Sequence, residues 1–278
     1  EADSTKPLER IRPSVLQQMQ KNGGIYRLPL TYTILTYAAD PEQLSDNKPE
    51  TVLRASEQGG EEFYPFAFNL DYSPQMAERC AIDYVDAAQG TCNFECDSFY
   101  AQLALLRRQK AALDTLPENL DVAATCDGLL YYYVILSADS IVYQPGRYGY
   151  PELKQSVYYA YPSDYDGGCQ LNFSSMLSIN TQSEQKAGAW AFLSYLLSDA
   201  CQQSVNYLPV SDAALQEQFK QLLTEETVTQ ADINTFYTLV DHAQKLDYPT
   251  EPIEQIIEEE MAAYLDGVID EKTTAERI

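Results

Sequence analysis

A continuous apolar run from Leu129 to Leu136 places the strongest constraint on the fold of this 278-residue chain. The run contains three consecutive tyrosines and no charged residue. Strands that are apolar at every position are typical of sheets with both faces covered, whereas a strand with one wet face alternates. The run is also less than half of the ~20 residues that a membrane-spanning helix requires. It therefore predicts an interior strand of a layered α/β protein.

Composition and charge limit the classes of protein that this chain can form. Hydrophobic residues make up 45% of the chain and aromatic residues 12%, which is typical of a globular protein. A chain of this length most naturally forms two domains or lobes. The 42 acidic and 18 basic residues give a formal net charge of −24. Nucleic acids and anionic membranes are bound through positive surfaces, so the charge argues against either as a partner.

The segment 178–203 predicts a capped amphipathic helix. Thr181, with Glu184 three residues later, has the pattern of a capping box. The apolar residues that follow recur at helical spacing and form one stripe: Ala189, Trp190, Leu193, Leu196 and Leu197, with Phe192 on its flank. On this spacing the only tryptophan, Trp190, is predicted to be a core residue. Other helices are predicted over 98–113, over 211–245 as a pair, and over 251–266.

Two segments, 80–86 and 91–95, predict a β-hairpin with a turn between them. Symmetric pairing would place Val85 opposite Cys92. The chain has six cysteines, which allow 15 disulfide pairings, so their state stays open at this point. The cysteines are Cys80, Cys92, Cys96, Cys126, Cys169 and Cys201.

The residues available for catalysis or metal binding are few. A single histidine, His242, gives no Ser-His-Asp or Cys-His arrangement, and Cys92 and Cys96 are spaced too far apart for the C-x2-C of a typical zinc site. Asp164-x-Asp166-Gly167 is similar to the start of a calcium loop but lacks its further ligands, so a plain turn is favoured. Acidic residues are abundant, and counting alone leaves a glycosidase-like carboxylate pair open. The sequence predicts no metal, no cofactor and no enzymatic activity.

Five segments, taken in order, carry a family pattern. They are GIYRLPLTYTIL at 24–35, TCNFECDSF at 91–99 with the strand before it, the strand and Gly-rich loop at 155–168, AWAFLSYLLSDACQQ at 189–203 followed by Leu208-Pro209-Val210, and IIEEEMAAYLDGVIDEKTTAERI at 256–278. In this order they resemble the extracellular solute-binding proteins of ABC importers, especially the carbohydrate-binding kind. The closing segment is the most specific, and the five span nearly the whole chain.

The resemblance implies a periplasmic-binding-protein type II fold, which is α/β and helix-rich, with two lobes and a hinge. It predicts a partial amino-terminal lobe and hinge crossing at 1–30, the carboxy-terminal lobe at 31–160, a return to the amino-terminal lobe at 161–208, and closing helices of the carboxy-terminal lobe at 209–278. The family's opening segment of about 100 residues, a domain-sized piece, has no counterpart, so an incomplete amino-terminal lobe is expected. The absence of an initiator methionine predicts a processed or excised chain. The expected location is extracellular, with a lipid anchor on an upstream segment.

The function that the resemblance implies is capture of a small solute, with a carbohydrate as the expected class, for an ABC permease in the membrane. Binding would rest on closure of the lobes around the solute. The protein would act as a monomer and would bind no nucleic acid. A second hypothesis is a degenerate relative that acts as a surface interaction module, which the missing segment motivates. An enzyme is the third hypothesis, and it would show two carboxylates close together in a pocket.

Candidate ligand-binding residues follow from the family positions and from the chemistry of sugars. Sugar binding requires aromatic faces that stack on C–H surfaces and a few fixed donors and acceptors. The candidates are Tyr32 at the hinge crossing, Phe68 and Tyr72 around the end of the aromatic strand, Tyr161, Ser163 and Tyr165 in the Gly-rich loop, and Glu254 at the start of the closing helix. The loop tyrosines rank highest because strand-to-loop exits expose side chains. For each aromatic residue, a half-buried packing role is an equally good interpretation.

Overall fold

The computed structural model describes residues 7–21, 23–60, 64–67, 73–86, 89–115, 128–142, 157–164, 169–243 and 251–278. The helices in these ranges are α1 (Pro13–Met19), α2 (Pro49–Gln58), α3 (Ser73–Asp83), α4 (Asp97–Asp114), α5 (Lys186–Leu196), α6 (Asp199–Gln202), α7 (Asp212–Thr224), α8 (Gln230–Asp241), α9 (Glu251–Leu265) and α10 (Glu271–Arg277). The strands are β1 (Gln20–Lys21), β2 (Gly24–Ile25), β3 (Thr31–Ala39), β4 (Tyr64–Ala67), β5 (Val85–Asp86), β6 (Thr91–Cys92), β7 (Gly128–Ile135), β8 (Val157–Tyr159), β9 (Gln170–Ser174) and β10 (Leu208–Pro209). Among the described helices, none has the length and apolar character needed to cross a membrane.

The chain divides into two compact units that alternate along the sequence. Unit 1 comprises Glu1–Thr36, Val134–Tyr143 and Gly168–Lys245, and unit 2 comprises Tyr37–Tyr133, Gln144–Gly167 and Leu246–Ile278. The lobe boundaries predicted from the sequence stay predictions. Within unit 1, α7 contacts the 3-10 turn at Ala138–Ile141 and α8 contacts α1.

Strand β3 supplies backbone partners in both units. Every one of its residues is buried except Leu35, which is half-buried. In unit 1 its first five residues pair antiparallel with β9, and its first two also pair with β10 on the other side. In unit 2 its last three residues pair antiparallel with β8. A strand buried along its length on both faces is the arrangement expected inside a layered α/β fold.

The predicted interior strand is confirmed as β7, which pairs in parallel with β4 in unit 2. Gly128, at its first residue, lies so close to β4 that a Cβ atom there would be 2.8 Å from both the Ala67 Cβ and the Tyr64 carbonyl oxygen. Only glycine fits this approach. Helices α3, α4 and α9 pack with α2 and β4 around the apolar core of unit 2, which includes Phe66, Phe99, Leu103 and Ile257.

The helices predicted from periodicity are confirmed with small changes at their ends. Helix α4 corresponds to the prediction over 98–113, α7 and α8 to the pair over 211–245, and α9 to the prediction over 251–266. Helix α8 begins with a complete capping box. The Thr229 hydroxyl accepts a hydrogen bond from the Asp232 N–H (3.2 Å), and the Asp232 carboxylate accepts one from the Thr229 N–H (2.8 Å).

The predicted hairpin is confirmed in its pairing but wrong in its extent. Val85 is opposite Cys92, as the sequence indicated, but the paired strands β5 and β6 have only two residues each. Residues 80–83 belong to helix α3 instead. Met76, Ala77, Cys80 and Ala81 are buried at helical spacing, and this amphipathic pattern favours the helix over an extended strand.

The capping box predicted at Thr181 is wrong. Helix α5 begins at Lys186, and its N-cap residue Gln185 makes no side-chain capping hydrogen bond. The polar residues before it form turns. The Asn180 side chain accepts from the Gln182 N–H (2.9 Å), and the Ser183 hydroxyl accepts from the Gln185 N–H (3.1 Å). Short polar side chains that bond nearby backbone compete with helix formation in this way.

Arg12, at the start of α1, links three helices of unit 1. Its guanidinium donates to both carboxylate oxygens of Asp241 at the end of α8, at 2.8 and 2.5 Å, and reaches Asp212 at the start of α7 at 3.4 Å. The guanidinium also lies 4.3 Å from the centre of the Tyr237 ring. The hydrogen bonds from Arg12 lower the pKa of Asp241. This contact holds the beginning of the described chain on α7 and α8.

We expect Arg12→Met to lower the free energy of unfolding at neutral pH by about 1–2 kcal/mol, the range for a bidentate, partly exposed ion pair. Because the folded pKa of Asp241 is lowered, the pair stabilises the fold above about pH 4 and this stabilisation is lost as the pH falls through the lowered pKa. Urea unfolding at a series of pH values measures the difference. The control Lys110→Met, which breaks an exposed pair with Asp114, should cost only about 0.3 kcal/mol. A difference that grows in acid would contradict this account.

Candidate functional site

Unit 2 contains a cluster of four aromatic rings, hereafter the Tyr161 cluster: Tyr37 on β3, Phe66 on β4, Tyr132 on β7 and Tyr161 just after β8. Tyr161 stacks on Phe66 with ring centres 5.7 Å apart and planes inclined by 8°. Tyr37 meets the edges of the other three rings at 5.6 to 6.0 Å. Phe66 and Tyr37 are buried, whereas Tyr161 and Tyr132 are half-buried. Tyr161 is therefore supported from within by a packed aromatic base.

Three polar residues, Asn47, Gln102 and Arg79, hold the segment 161–163 that carries Tyr161. The Asn47 side chain donates to the Tyr161 carbonyl oxygen (3.3 Å), and the Asn47 carbonyl oxygen accepts from the Ser163 N–H (3.0 Å). Gln102 on α4 donates to the Pro162 carbonyl oxygen (3.3 Å). Arg79 on α3 donates to the Ser163 hydroxyl oxygen (2.5 Å). The position of Tyr161 is thus set by contacts from several elements of unit 2.

A buried ion pair lies beneath this segment. Arg79 donates to Asp83, one helical turn later on α3, through Nε at 2.8 Å, and its Nη2 lies 2.7 Å from the other carboxylate oxygen. Both side chains are almost fully buried. Burial raises the pKa of Asp83, and the charge of Arg79 opposes this shift. Because a buried carboxylate is costly without a partner, Arg79 stabilises both α3 and the attached Ser163.

Gln102 also joins a polar network inside unit 2. It accepts a hydrogen bond from the Cys80 thiol (3.2 Å) and donates to the Tyr84 hydroxyl (3.2 Å), which bonds Ser98 (2.9 Å). Burial raises the pKa of the Cys80 thiol well above its ordinary value. The five cysteines in the described part of the chain are free thiols: Cys80, Cys92, Cys96, Cys169 and Cys201. Cys126 lies outside that part.

Four of the seven predicted ligand residues lie in the described part of the chain. Tyr161 and Ser163 lie side by side, although the buried Ser163 hydroxyl is engaged with Arg79. Tyr32 lies in unit 1, where it is 1% exposed and packs near Phe173 with ring centres 6.4 Å apart. Burial raises the pKa of its hydroxyl. Glu254 lies in the first turn of α9 and is half-buried.

The remaining three predicted residues, Phe68, Tyr72 and Tyr165, lie outside the described residues. The ligand contacts of all seven residues stay predictions. Within the described ranges, no group of three or more His, Cys, Asp or Glu residues is arranged to hold a metal ion.

Unit 1 contains an open pocket of about 200 Å³ that the sequence did not predict. It is lined by Ile25, Tyr26, Arg27, Leu28, Leu177, Ser178, Ile179, Trp190 and Leu193. Trp190, predicted to be a core residue, is 38% exposed, so that prediction is wrong. The helical stripe itself is real, because Leu193 and Leu197 are buried. Helical spacing identifies which residues share a face but does not indicate how far other elements cover that face.

No protein-family model matches the sequence, and no curated protein matches it. Solved structures do share its fold. A cyclic alpha-maltosyl-1,6-maltose binding protein from Arthrobacter globiformis matches 98% of this chain and 75% of its own, with a TM-score of 0.61 and 11% identity. An extracellular solute-binding protein of family 1 from Alicyclobacillus acidocaldarius matches 99% and 75%, with a TM-score of 0.60 and 16% identity.

A third structure, the sugar-binding protein MalE from Xanthomonas citri, matches 96% of this chain and 72% of its own, with a TM-score of 0.60 and 13% identity. The resemblance found in the sequence is therefore confirmed for the fold, which is that of extracellular, two-lobed solute-binding proteins. The chain spans about three-quarters of the length of these structures. At this level of identity the similarity defines the fold and leaves the ligand to be argued from the site.

We expect Arg79→Met to lower the free energy of unfolding by about 3 kcal/mol at neutral pH, because it leaves the Asp83 carboxylate buried without its cation. The loss should shrink as the pH is lowered. Arg79 opposes the rise in the pKa of Asp83 that burial causes, so without Arg79 the buried carboxylate becomes neutral at a higher pH and its cost disappears sooner. Urea unfolding measures both effects. The double variant Arg79→Met/Asp83→Met removes both charges and should recover most of the loss. Equal losses in the single and double variants would show that the unpaired charge is not the cause.

Proposed function

We propose that this chain is the solute-binding component of an ABC importer and that it captures a carbohydrate. The observation that carries the proposal is the half-buried Tyr161, held on the stacked Phe66 ring in a chain with the fold of sugar-binding proteins. An aromatic face stacks well on the C–H surface of a pyranose ring. The proposal includes delivery to permease subunits by a monomer, and an extracellular location through a lipid anchor on an upstream segment. It includes no covalent step, metal or cofactor.

The fixed position of Tyr161 supports the proposal on energetic grounds. Ordering a mobile aromatic side chain on binding costs free energy, and a ring that is already held avoids most of that cost. Tyr161 is held on one face by Phe66 and through its own backbone by Asn47. The other predicted contacts, Tyr32, Phe68, Tyr72, Ser163, Tyr165 and Glu254, remain part of the proposal. Tyr32 and Ser163 would have to act from buried positions.

A second candidate function, a surface interaction module, is favoured by one observation on unit 1. Phe192 and Tyr195, on α5, are 60% and 64% exposed. Helix α5 is apolar on nearly all sides, and such helices are usually covered by other polypeptide. Exposed aromatic groups of this kind often mark protein interaction sites. If this is the protein's function, adding sugars should leave its thermal stability unchanged.

Thermal unfolding against a panel of mono- and oligosaccharides tests the two functions, because a ligand that binds only the folded state raises the midpoint. We expect a rise with one class of sugar. Tyr161→Ala should lower the affinity for that sugar by about tenfold or more, because an aromatic stacking contact is lost. Tyr161→Phe, which keeps the aromatic face, should retain most of the binding.

The matched control is Tyr207→Ala, which removes an exposed tyrosine from unit 1. It should leave the response to sugar unchanged. Each variant is compared with its own midpoint without sugar, so that a loss of stability is not mistaken for a loss of binding. A panel in which no sugar raises the midpoint would favour the interaction module, and full binding by Tyr161→Ala would remove Tyr161 from the site.

A further inference from the structure

The pocket of unit 1 combines apolar residues with hydrogen-bond donors that have no partner among the described residues. Leu28 and Leu193, both buried, supply apolar surface. The donors are the Tyr26 hydroxyl, the Arg27 guanidinium, the Ser178 hydroxyl and the indole N–H of Trp190. None of these four side-chain groups makes a hydrogen bond or ion pair with another residue of the described part of the chain. Apolar surface with a few convergent polar groups is the usual composition of a small-molecule site.

Two aromatic rings of this pocket are available for stacking. Trp190 is 38% exposed and Tyr26 is 66% exposed. The Tyr26 ring folds back over Gly24 on β2, where an added Cβ would lie 3.0 Å from the ring. The absence of a side chain at Gly24 therefore allows this position of the ring. The backbone beside it is fixed, because Leu28 and Leu177 exchange two hydrogen bonds of 2.8 Å.

Arg27 carries the less common charge of this chain. Acidic residues outnumber basic ones by 42 to 18, and six of the described cations pair with acids. Those pairs involve Arg12, Arg79, Lys110, Lys220, Lys272 and Arg277. Arg27 has no such partner among the described residues, although its planar guanidinium can bind a carboxylate through two hydrogen bonds. The charge of Arg27 is therefore available to a ligand.

We propose that this pocket binds a sugar acid, with the ring of the sugar against Trp190 and Tyr26 and its carboxylate on Arg27. The donors at Ser178, Tyr26 and Trp190 call for a ligand rich in acceptor oxygens, which a sugar ring supplies and a purely aromatic acid does not. The negative charge of the whole protein opposes an anion, but at physiological salt charges more than about 8 Å away are largely screened. The site lies in unit 1 and shares no residue with the Tyr161 cluster.

Fluorescence of Trp190, the only tryptophan, gives a direct test. The protein is titrated with galacturonate and, separately, with galactose, which has the same ring without the carboxylate. We expect a saturable change in emission with galacturonate, at an affinity about tenfold or more above that of galactose, as a charge-assisted pair would give. Higher salt should lower the affinity for galacturonate and leave the affinity for galactose unchanged.

Two variants locate the effect. Arg27→Gln should lower the affinity for galacturonate to that for galactose. The unfolding midpoint should not change, since Arg27 is exposed and forms no ion pair with a described residue. The control Arg54→Gln removes the same charge from α2 in unit 2 and should bind like the unmodified protein. Tyr161→Ala should also keep the galacturonate response, which separates this site from the proposed transport site.

Three results would overturn the proposal: equal affinities for the two sugars, an unchanged galacturonate affinity in Arg27→Gln, or no saturable change with either sugar. Emission that depends on protein concentration without sugar would show that a second copy covers the pocket, and would also overturn it.

Discussion

Burial of β3 on both faces is the constraint on which the rest of the structure depends. Burying one large apolar side chain such as Ile34 contributes roughly 1.5–3 kcal/mol, so a strand with few exposed side chains requires apolar layers on each side. Alternation of polar and apolar residues cannot set the register of such a strand. Buried polar groups supply register information instead. The Thr31 and Ser174 hydroxyls, opposite each other on β3 and β9, are 2.7 Å apart and bond only in this pairing.

The Tyr161 cluster depends on the same sheet. Tyr37 extends from the end of β3 and Phe66 from β4, so the aromatic base forms only when the strands of unit 2 are in place. The segment after β8 then needs fixed polar partners, because its backbone groups are not part of a strand. Arg79 and Gln102 come from two different helices and satisfy groups on consecutive residues of this segment. A surface residue held from below by rings and from behind by buried polar groups has little freedom to lose on binding.

The sequence predicted the elements whose signal is local and failed where the answer depends on distant partners. Strand β7 and helices α4, α7, α8 and α9 follow from composition and period, which act within one segment. Tyr32 and Tyr161 show the limit of this reasoning. Both residues lie next to turns in the sequence. Tyr32 is nevertheless buried between β9 and β10, whereas Tyr161 stays half-exposed. Only the pairing of strands far apart in the sequence distinguishes the two.

The same limit explains why the burial of Trp190 was predicted wrongly. It also affects how exposed groups in this protein are interpreted. An apolar stripe on a helix predicts that something packs on it, and for Leu193 and Leu197 that is so. Trp190 lies on the same stripe but beside a pocket, together with Arg27, an arginine that pairs with no described acid. An exposed tryptophan alone indicates only uncovered surface. An exposed tryptophan beside an available cation also indicates the charge of whatever covers it, because burying that cation without an anionic partner would be unfavourable.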